Sequence, residues 1–301
     1  MDRRQFSKAA VAAAGAGPLA RAFGRDAMTP ENMGHAGRSR WREIEVSVAG
    51  RLGVAVLDMG TGALDGHRLD ERFPMCSTFK FLAAAMVLAR VDAGQERLDR
   101  RIVVTRESLL EWAPVTSKRV GGAGMTLAEL CEAAITVSDN TAANMLLASA
   151  GGPAGVTAFA RRIGDTETRL DRIEPALNEA IPGDPRDTST PRAMAQTLRT
   201  VLLGNALSDA GRAQIVRWMS ANKTGAHRLR AGVPRDWRVA DKTGTGDLGS
   251  TNDIGVLWPP GRAPLAVVAY LTGCKASEDA REAALANVAR SVAGGWALRA
   301  A

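Results

Sequence analysis

The chain has 301 residues, 46% of them hydrophobic, which is the composition of a protein with a large apolar core and excludes a disordered chain. The net charge is +7, but basic residues are interspersed with acidic ones and aromatic residues make up only 4%, which argues against a nucleic-acid-binding surface. Three cysteines and three histidines, all widely spaced, match neither a disulfide framework nor a metal-ligand motif, so we expect no metal and no cofactor.

Residues 1–22 have the pattern of a cleaved export signal. Arg3 and Arg4 precede a short apolar stretch that ends in the small-residue pattern A-R-A. The paired arginines favour the twin-arginine route, and the apolar stretch is too short for a permanent membrane span. A basic N-terminal anchor is the alternative. We predict a periplasmic protein whose mature chain begins with a polar linker over 23–36.

The predicted elements change from strands to helices and back. A helix over 41–49 is followed by a strand over 52–62 and a shorter strand-like stretch over 65–73. Helical periodicity then covers 79–93, 126–137, 141–149, 153–163, 191–203 and 209–220. A long Pro-rich loop over 165–190 interrupts the helices, and such loops inside compact domains are usually functional. Strands return over 237–244, 252–258 and 264–273, and a last helix covers 278–294.

Strands near both ends of the chain enclose a run of helices. This order predicts an α+β fold, in which one lobe is built from both ends of the chain and a helical lobe is inserted into it. A cleft between two such lobes is a natural place for a binding site.

A serine and a lysine stand three residues apart in PMCSTFK, at the head of an apolar helical run. Ser77 and Lys80 therefore share a helix face near the helix N-terminus, where the helix dipole favours a developing anion. Apolar neighbours would lower the pKa of Lys80, so that it can serve a nucleophilic serine. Taken alone, the pattern favours the simpler interpretation of an N-cap serine with a surface lysine. A second S-x-x-K, Ser220 to Lys223, leads into a polar loop.

The tripeptide S-D-N separates two helical runs. Ser138 is a candidate to relay a proton, and Asn140 is a candidate to hold a substrate amide. A plain turn that caps the next helix explains the same three residues.

K-T-G occurs twice. Lys242, Thr243 and Gly244 end a strand-like run, so their backbone would lie along a substrate while the lysine and threonine meet an anion. The copy at 223–225 lies at a helix end and fits a helix stop. We assign the function to the second copy.

The long loop contains E-P-A-L-N. Glu174 and Asn178 are four residues apart and could hold one water molecule between them. An exposed loop acid is the alternative.

The motifs S-x-x-K, S-D-N and K-T-G in this order are the signature of class A β-lactamases and penicillin-binding proteins. The chain resembles a class A serine β-lactamase from about residue 38 to 298, and longer stretches such as MTLAELCEAAITVSDNTAANMLL and DWRVADKTGTGD carry the resemblance. It implies an antiparallel sheet flanked by helices, in a discontinuous lobe over 38–76 and 222–298. A helical lobe over 77–221, including an Ω-like loop over 168–187, is inserted, and the active site lies in the cleft.

The resemblance implies hydrolysis of the β-lactam amide, a cyclic amide, of penicillins and cephalosporins through a serine acyl-enzyme. This hydrolysis would confer antibiotic resistance. In that family Ser77 attacks the carbonyl, and the backbone N–H groups of Ser77 and Thr245 hold the oxyanion. Lys80 and Glu174 compete as the acylation base, whereas the glutamate is accepted as the deacylation base. Ser138 would protonate the lactam nitrogen.

The remaining matches concern substrate binding. Asn178 would help to hold the hydrolytic water, and Asn140 would bind the side-chain amide of the drug. Lys242, Thr243, Thr245 and Arg228 match the residues that bind the substrate carboxylate. Gly244 matches a residue of the strand that lies along the substrate, and Trp112 matches the aromatic residue at the cleft mouth.

The resemblance also extends to the loop neck, where Arg172 and Asp187 match a pair that closes it. In the family the peptide bond that corresponds to Glu174–Pro175 is cis.

The departures from the family pattern concern cysteines and one arginine. Cys131 matches one half of a common disulfide, but Ala84 occupies the other position, so we expect no bridge. Cys76 matches a cysteine of carbapenem-hydrolysing members, but Gly246 stands where its partner would be, which lowers our expectation of strong carbapenem hydrolysis. The strand after K-T-G also lacks the arginine that many members carry.

Two other activities use the same motifs. A penicillin-binding D,D-peptidase keeps its acyl-enzyme for long periods, and a covalent sensor signals without turnover. The glutamate of E-P-A-L-N argues for hydrolysis, and the sequence shows no further membrane segment. We expect a monomer that acts on a small molecule and binds neither nucleic acid nor, after signal removal, membrane.

Overall fold

A computed structural model describes residues 40–297, with side chains up to residue 295. The signal predicted over 1–22 and the linker predicted over 23–36 lie outside the described residues. The fold belongs to the α+β class, as the sequence predicts. No helix in the described part of the chain is long and apolar enough to cross a membrane.

The regular elements are named here in chain order. The strands are β1 (Arg51–Asp58), β2 (Leu64–His67), β3 (Phe73–Pro74), β4 (Arg101–Ile102), β5 (Met125–Thr126), β6 (Thr188–Ser189), β7 (Arg238–Gly246), β8 (Ser250–Trp258) and β9 (Leu265–Thr272). The helices are α1 (40–48), α2 (Phe79–Asp92), α3 (Leu127–Thr136), α4 (Asn140–Ser149), α5 (Gly152–Arg162), α6 (Pro191–Leu202), α7 (Asp209–Ser220), α8 (Leu229–Gly232) and α9 (Glu278–Ala297).

Five strands form one antiparallel sheet in the order β2-β1-β9-β8-β7. β1 pairs with β9 from Arg51 opposite Thr272 to Asp58 opposite Leu265. A strand from the N-terminal part of the chain and one from its C-terminal part therefore lie side by side in one sheet. β7, which carries the second K-T-G, is the edge strand.

Both faces of the sheet are buried. Alternate residues of β9 pack on opposite sides because successive strand side chains point to opposite faces. Those that join the cluster of α1 and α9 are Leu265, Val267, Ala269 and Leu271. Those that join the cluster of the central helices are Ala266, Val268 and Tyr270.

Helix α2 is the centre of the helical region. Its first ten residues, 79–88, are all buried, which is why the segment is apolar on every face rather than amphipathic. Lys80 is the basic residue within this buried run. Helix α3 begins with a capping box, in which Thr126 and Glu129 bond each other's backbone N–H groups.

The first strand ends earlier than predicted. The Asp58 carboxylate accepts hydrogen bonds from the N–H groups of Gly60 and Thr61, both at 2.9 Å, and this turn stops β1 at residue 58 instead of 62. A small sheet of β3 and β6 then brings the segment before Ser77 against the end of the long loop.

Glu45 joins α1 to the sheet. Its carboxylate accepts hydrogen bonds from the Arg68 guanidinium at 2.7 and 3.0 Å and from the Leu52 N–H at 2.9 Å, and it lies 3.3 Å from His67 Nε2. Burial alone would raise the pKa of Glu45, but these hydrogen bonds lower it to about 2.

This pKa predicts an acid-dependent loss of stability. Because the folded pKa is below the unfolded value of 4.5, the stabilisation is fully present above pH 4.5 and is lost as the pH falls towards 2. Between these pH values we expect the free energy of unfolding to fall by on the order of 1–3 kcal/mol more in the wild type than in Glu45→Gln, as measured by urea denaturation. The exposed-acid control Glu107→Gln should behave as the wild type. Equal slopes in wild type and Glu45→Gln would contradict the assignment.

Candidate active site

Ser77 lies in a 3₁₀ turn, Cys76–Thr78, directly before α2. The Met75 carbonyl accepts hydrogen bonds from the Thr78 N–H at 3.2 Å and from the Thr78 hydroxyl at 2.8 Å. Cys76 has φ +46°, a left-handed conformation that is rare for a residue with a side chain. Ser77 is 8% exposed, so most of its side chain is shielded from solvent.

The Lys80 ammonium group is fully buried and surrounded by oxygen atoms. Its contacts are Asn140 Oδ1 at 2.6 Å, the Ser138 carbonyl at 2.8 Å, Glu174 Oε1 at 3.0 Å and Ser138 Oγ at 3.2 Å. Burial lowers the pKa of Lys80 below its usual value, although the Glu174 carboxylate opposes the shift. The direction agrees with the prediction from its apolar neighbours.

Glu174 connects Ser77 to the long loop. Its Oε1 accepts a hydrogen bond from Ser77 Oγ at 3.1 Å, and its Oε2 accepts one from Asn178 Nδ2 at 2.5 Å. The Asn178 Oδ1 is buried and has no hydrogen-bond partner among the described residues. The Glu174–Pro175 peptide bond is cis, as expected.

Asn144 holds the backbone of Glu174, and the sequence interpretation missed it. Its Oδ1 accepts from the Glu174 N–H at 3.0 Å and its Nδ2 donates to the Glu174 carbonyl at 2.9 Å. Asn144 follows Asn140 by four residues and so shares its face of α4, which was the available signal.

The neck of the loop is closed by the predicted ion pair. Arg172 Nε donates to Asp187 Oδ2 at 2.6 Å, and Asp187 Oδ1 accepts from the N–H groups of Asp171 and Arg172 at 2.7 and 2.9 Å. The Asp187 carbonyl also accepts from the Met75 N–H at 2.9 Å. The loop neck is therefore bonded directly to the turn that carries Ser77.

Ser138 is placed between two lysines. The residue has φ +57° in the connection between α3 and α4. Its Oγ accepts from Lys80 Nζ at 3.2 Å and from Lys242 Nζ at 3.1 Å. A hydroxyl in this position can pass a proton between the two sides of the site.

The residues beside Ser138 support it. Asp139 is buried, caps α4 through the Ala142 N–H at 2.9 Å, and accepts bonds from the Thr116 N–H and hydroxyl. The Asn140 N–H donates to the Trp112 carbonyl at 2.9 Å. The Trp112 ring is 55% exposed, which places an aromatic surface at the rim of the site.

Strand β7 forms the opposite wall. Lys242 is completely buried, and its pKa is lowered well below its usual value, first by burial and then by the positive charges of Lys80 and Arg228. A Cβ at Gly244 would lie 2.7 Å from the Met75 carbonyl oxygen, so only glycine lets the strand approach the Ser77 turn this closely.

Arg228 reaches β7 from the segment before α8. Its guanidinium donates to the Gly244 carbonyl at 3.0 Å, to the Asn252 carbonyl at 2.9 Å and to the Thr245 hydroxyl at 2.9 Å, and it pairs with Glu282 at 3.0 Å. The structure thus brings Arg228 next to Thr245.

The first K-T-G copy lies against the second. Thr224 Oγ1 is 2.5 Å from Thr243 Oγ1, and the Lys223 N–H donates to the Thr136 carbonyl at 2.8 Å, while the Lys223 side chain is exposed. The sequence interpretation of this copy as a helix stop did not include the contact of Thr224 with the site.

All three thiols are free and buried. Burial and the nearby Glu174 carboxylate raise the pKa of Cys76, so its thiol is not a nucleophile at neutral pH. A Cβ at Gly246 would lie 2.6 Å from Cys76 Sγ, so this glycine occupies the place of a disulfide partner. Across residues 40–297, no group of three His, Cys, Asp or Glu residues is arranged to hold a metal ion.

A cavity of about 640 Å³ lies behind the long loop rather than at Ser77. Its lining includes Arg51, Leu177, Ile181, Arg186 and Leu248 but none of the predicted catalytic residues.

The geometry suits acyl transfer to water. The Ser77 hydroxyl bonds a carboxylate that also meets a buried lysine, which is the arrangement of a nucleophile with an adjacent base. Lys242 and Arg228 place two basic side chains along β7, next to Ser138 and Thr245 respectively.

Comparison with known proteins identifies the family. The model of the beta-lactamase enzyme family matches residues 38–296. Beta-lactamase CTX-M-8 of Citrobacter amalonaticus is 52% identical over 253 residues, which cover 84% of this chain and 87% of that protein. Beta-lactamase OXY-1 of Klebsiella oxytoca is 46% identical over 295 residues, which cover 98% of this chain and all of that protein.

Solved structures give the same result. An ancestral class A beta-lactamase is 65% identical, with a TM-score of 0.84 over 85% of this chain and 98% of that one. A putative class A beta-lactamase, PenP from Rhodopseudomonas palustris, is 61% identical, with a TM-score of 0.85 over 86% of this chain and 99% of that one. The chain belongs to the beta-lactamase enzyme family, and within it to the class A serine β-lactamases.

Proposed function

We propose that this protein hydrolyses the β-lactam amide of penicillins and cephalosporins through an acyl-enzyme on Ser77 and thereby confers antibiotic resistance. The observation that carries the proposal is the contact of Ser77 Oγ with Glu174 Oε1, the same oxygen that meets the Lys80 ammonium. A serine hydroxyl that donates to a buried carboxylate has an adjacent base, so it is equipped both to form an ester and to have it hydrolysed.

In the acylation step, Ser77 Oγ attacks the lactam carbonyl while its proton passes to Glu174, which it contacts directly, or to a neutral Lys80, which contacts the same Glu174 oxygen. The oxyanion is held by the backbone N–H groups of Ser77 and Thr245. When the C–N bond breaks, Ser138 donates its proton to the lactam nitrogen and regains one from a neighbouring lysine, Lys80 or Lys242.

In the deacylation step, Glu174 and Asn178 hold a water molecule against the ester. The unpartnered Asn178 Oδ1 and the Glu174 carboxylate supply two acceptors for this water. Glu174 takes one proton, the hydroxide adds to the ester carbonyl, and the C–O bond to Ser77 breaks as Ser77 is reprotonated. The product is a ring-opened carboxylic acid.

Substrate binding uses both walls of the site. Asn140 binds the side-chain amide of the drug, and the exposed Trp112 ring lines the cleft mouth. We assign Lys242, Thr243, Thr245 and Arg228 to binding of the substrate carboxylate. Gly244 lets the strand β7 approach the Ser77 turn closely.

The remaining proposals concern organisation and location. We propose a discontinuous α/β lobe over 38–76 and 222–298 and a helical lobe over 77–221 with its Ω-like loop at 168–187, since β1 and β9 pair across the sheet. The protein acts as a hydrolase of cyclic amides on a small molecule, as a monomer and without nucleic acid. The N-terminal sequence supports export to the periplasm by the twin-arginine route.

The deciding experiment follows many turnovers of the purified mature protein with a chromogenic cephalosporin and with a penicillin. Sustained hydrolysis that is lost in Ser77→Ala supports the proposal. A single stoichiometric burst that then stops would identify a penicillin-binding protein or a sensor instead.

Removing the deacylation base should trap the intermediate. In Glu174→Ala, Lys80 can still accept the Ser77 proton, whereas the hydrolytic water loses its base, so we expect a persistent drug adduct on Ser77 and at least about a hundredfold lower turnover. Intact-protein mass spectrometry measures the adduct. Glu167→Ala, which removes a half-exposed acid just before the loop, should turn over normally. Rapid turnover of Glu174→Ala without an adduct would exclude this role.

The two K-T-G lysines should behave differently. Lys242→Ala removes a buried charge from the proposed carboxylate site, so we expect KM to rise by about tenfold to a hundredfold, corresponding to a lost charge-assisted hydrogen bond. Lys223→Ala removes an exposed lysine and should leave KM unchanged. Steady-state kinetics with a penicillin measure both, and equal effects of the two substitutions would refute the assignment of the second copy.

The pKa of Lys242 gives a pH dependence. Because burial and the neighbouring cations lower this pKa well below 10.5, the ammonium loses its charge before an ordinary lysine does. KM for a carboxylate-bearing substrate should therefore rise as the pH climbs through the lowered pKa of Lys242, with the onset below pH 10.5. A substrate whose carboxylate is esterified should show no such rise. A KM for the free acid that stays constant to pH 10.5 would contradict the prediction.

A further inference from the structure

One buried amide side chain attaches the Ser77 turn to the sheet. Asn252 on β8 is 0% exposed. Its Nδ2 donates to the Pro74 carbonyl at 2.9 Å and to the Met75 carbonyl at 3.1 Å, and its Oδ1 accepts from the Leu271 N–H at 3.2 Å. The side chain therefore bridges the backbone of β9 and the backbone that leads into the nucleophile.

The bridged backbone is a strained one. Cys76, at φ +46°, stands between Met75 and Ser77. A left-handed residue with a side chain persists only where its surroundings hold it. The Met75 carbonyl also receives the Thr78 N–H and hydroxyl, so a movement of this carbonyl would change the direction of the Ser77 hydroxyl.

The same asparagine reaches the substrate-anion side of the site. Its backbone carbonyl accepts a hydrogen bond from Arg228 at 2.9 Å, and Arg228 also donates to the Gly244 carbonyl and the Thr245 hydroxyl. Asn252 thus contacts both the turn that presents the nucleophile and the arginine that orders the end of β7.

We propose that Asn252 is a positioning residue for acylation: it sets the direction of Ser77 Oγ relative to the oxyanion donor on β7, the Thr245 N–H. The proposal rests on the proposed β-lactam hydrolysis. Glu174 is held separately by Asn144, through bonds at 2.9 and 3.0 Å on a different helix. Asn252 should therefore act on formation of the ester, and Asn144 on its hydrolysis.

The test separates the two half-reactions. In Asn252→Ala the Pro74 and Met75 carbonyls lose the Asn252 side-chain donor. In Asn252→Asp a carboxylate oxygen, which can only accept, faces these carbonyls instead. Because a displacement of about 1 Å at a reacting group costs about a hundredfold in rate, we expect kcat/KM, which reports acylation, to fall about tenfold to a hundredfold in Asn252→Ala and further in Asn252→Asp. The rate of hydrolysis of the preformed acyl-enzyme, from single-turnover mass spectrometry, should stay within about twofold of wild type. Asn144→Ala should show the opposite pattern.

A structural role alone would give a different result. Rates are divided by the folded fraction of each variant, which circular dichroism measures. Asn252→Ser, which keeps one donor on a small side chain, supplies a second folded variant, for which we expect an intermediate kcat/KM. A kcat/KM per folded enzyme that is unchanged in Asn252→Ala and Asn252→Ser, or an equal loss in both half-reactions, overturns the proposal. Absence of turnover by the wild type would instead refute the proposed function.

Discussion

The buried ion pair of Lys80 and Glu174 is the constraint on which the rest of the site depends. Both side chains are 0% exposed and their charged atoms are 3.0 Å apart. Withdrawing two charges from water costs several kcal/mol per ion, and the attraction offsets this only when other polar groups satisfy the remaining bonds. Ser138, Asn140 and Asn178 supply those bonds. The pair is thus weak as a source of stability, but it leaves a base and an acid in a dry site beside the serine.

Three distant segments must meet around that pair, and backbone attachments bring them together. The Ser77 turn is bonded to the loop neck through the Met75 N–H and the Asp187 carbonyl, and to the sheet through Asn252. Strand β7 closes the other side because Gly244 allows it to approach. The left-handed residues Cys76 and Ser138 both lie at these junctions, where backbone strain is most often retained for function.

Local sequence patterns explain which helices and motif residues could be predicted correctly. The bounds of α2, α6 and α7 agree with the prediction within one or two residues, because apolar period and helix caps act over short distances. The motif residues were found because they stand in fixed order. Asn144 was missed although its spacing from Asn140 was a signal, because its partner Glu174 lies 30 residues away. Asn252 was missed because its partners Pro74 and Met75 lie 178 and 177 residues away and an amide in a buried strand carries no local signal. The contact of Thr224 with Thr243 is likewise tertiary, and the lobe boundaries and site roles remain predictions.

The closed neck of the loop has a consequence for the two ways in which the protein can protect a cell. Glu174 lies on a segment whose neck is closed by the Arg172–Asp187 ion pair, a few hydrogen bonds to Asp187 and a two-residue strand pair, whereas Ser77 and Lys80 lie in the buried turn before α2 and in its first turn. Local opening of such a segment requires less free energy than global unfolding. Molecules with an opened loop retain the nucleophile but lose the water-activating base. They would bind drug stoichiometrically, so the free energy of loop opening divides the population between destroying the antibiotic and merely sequestering it.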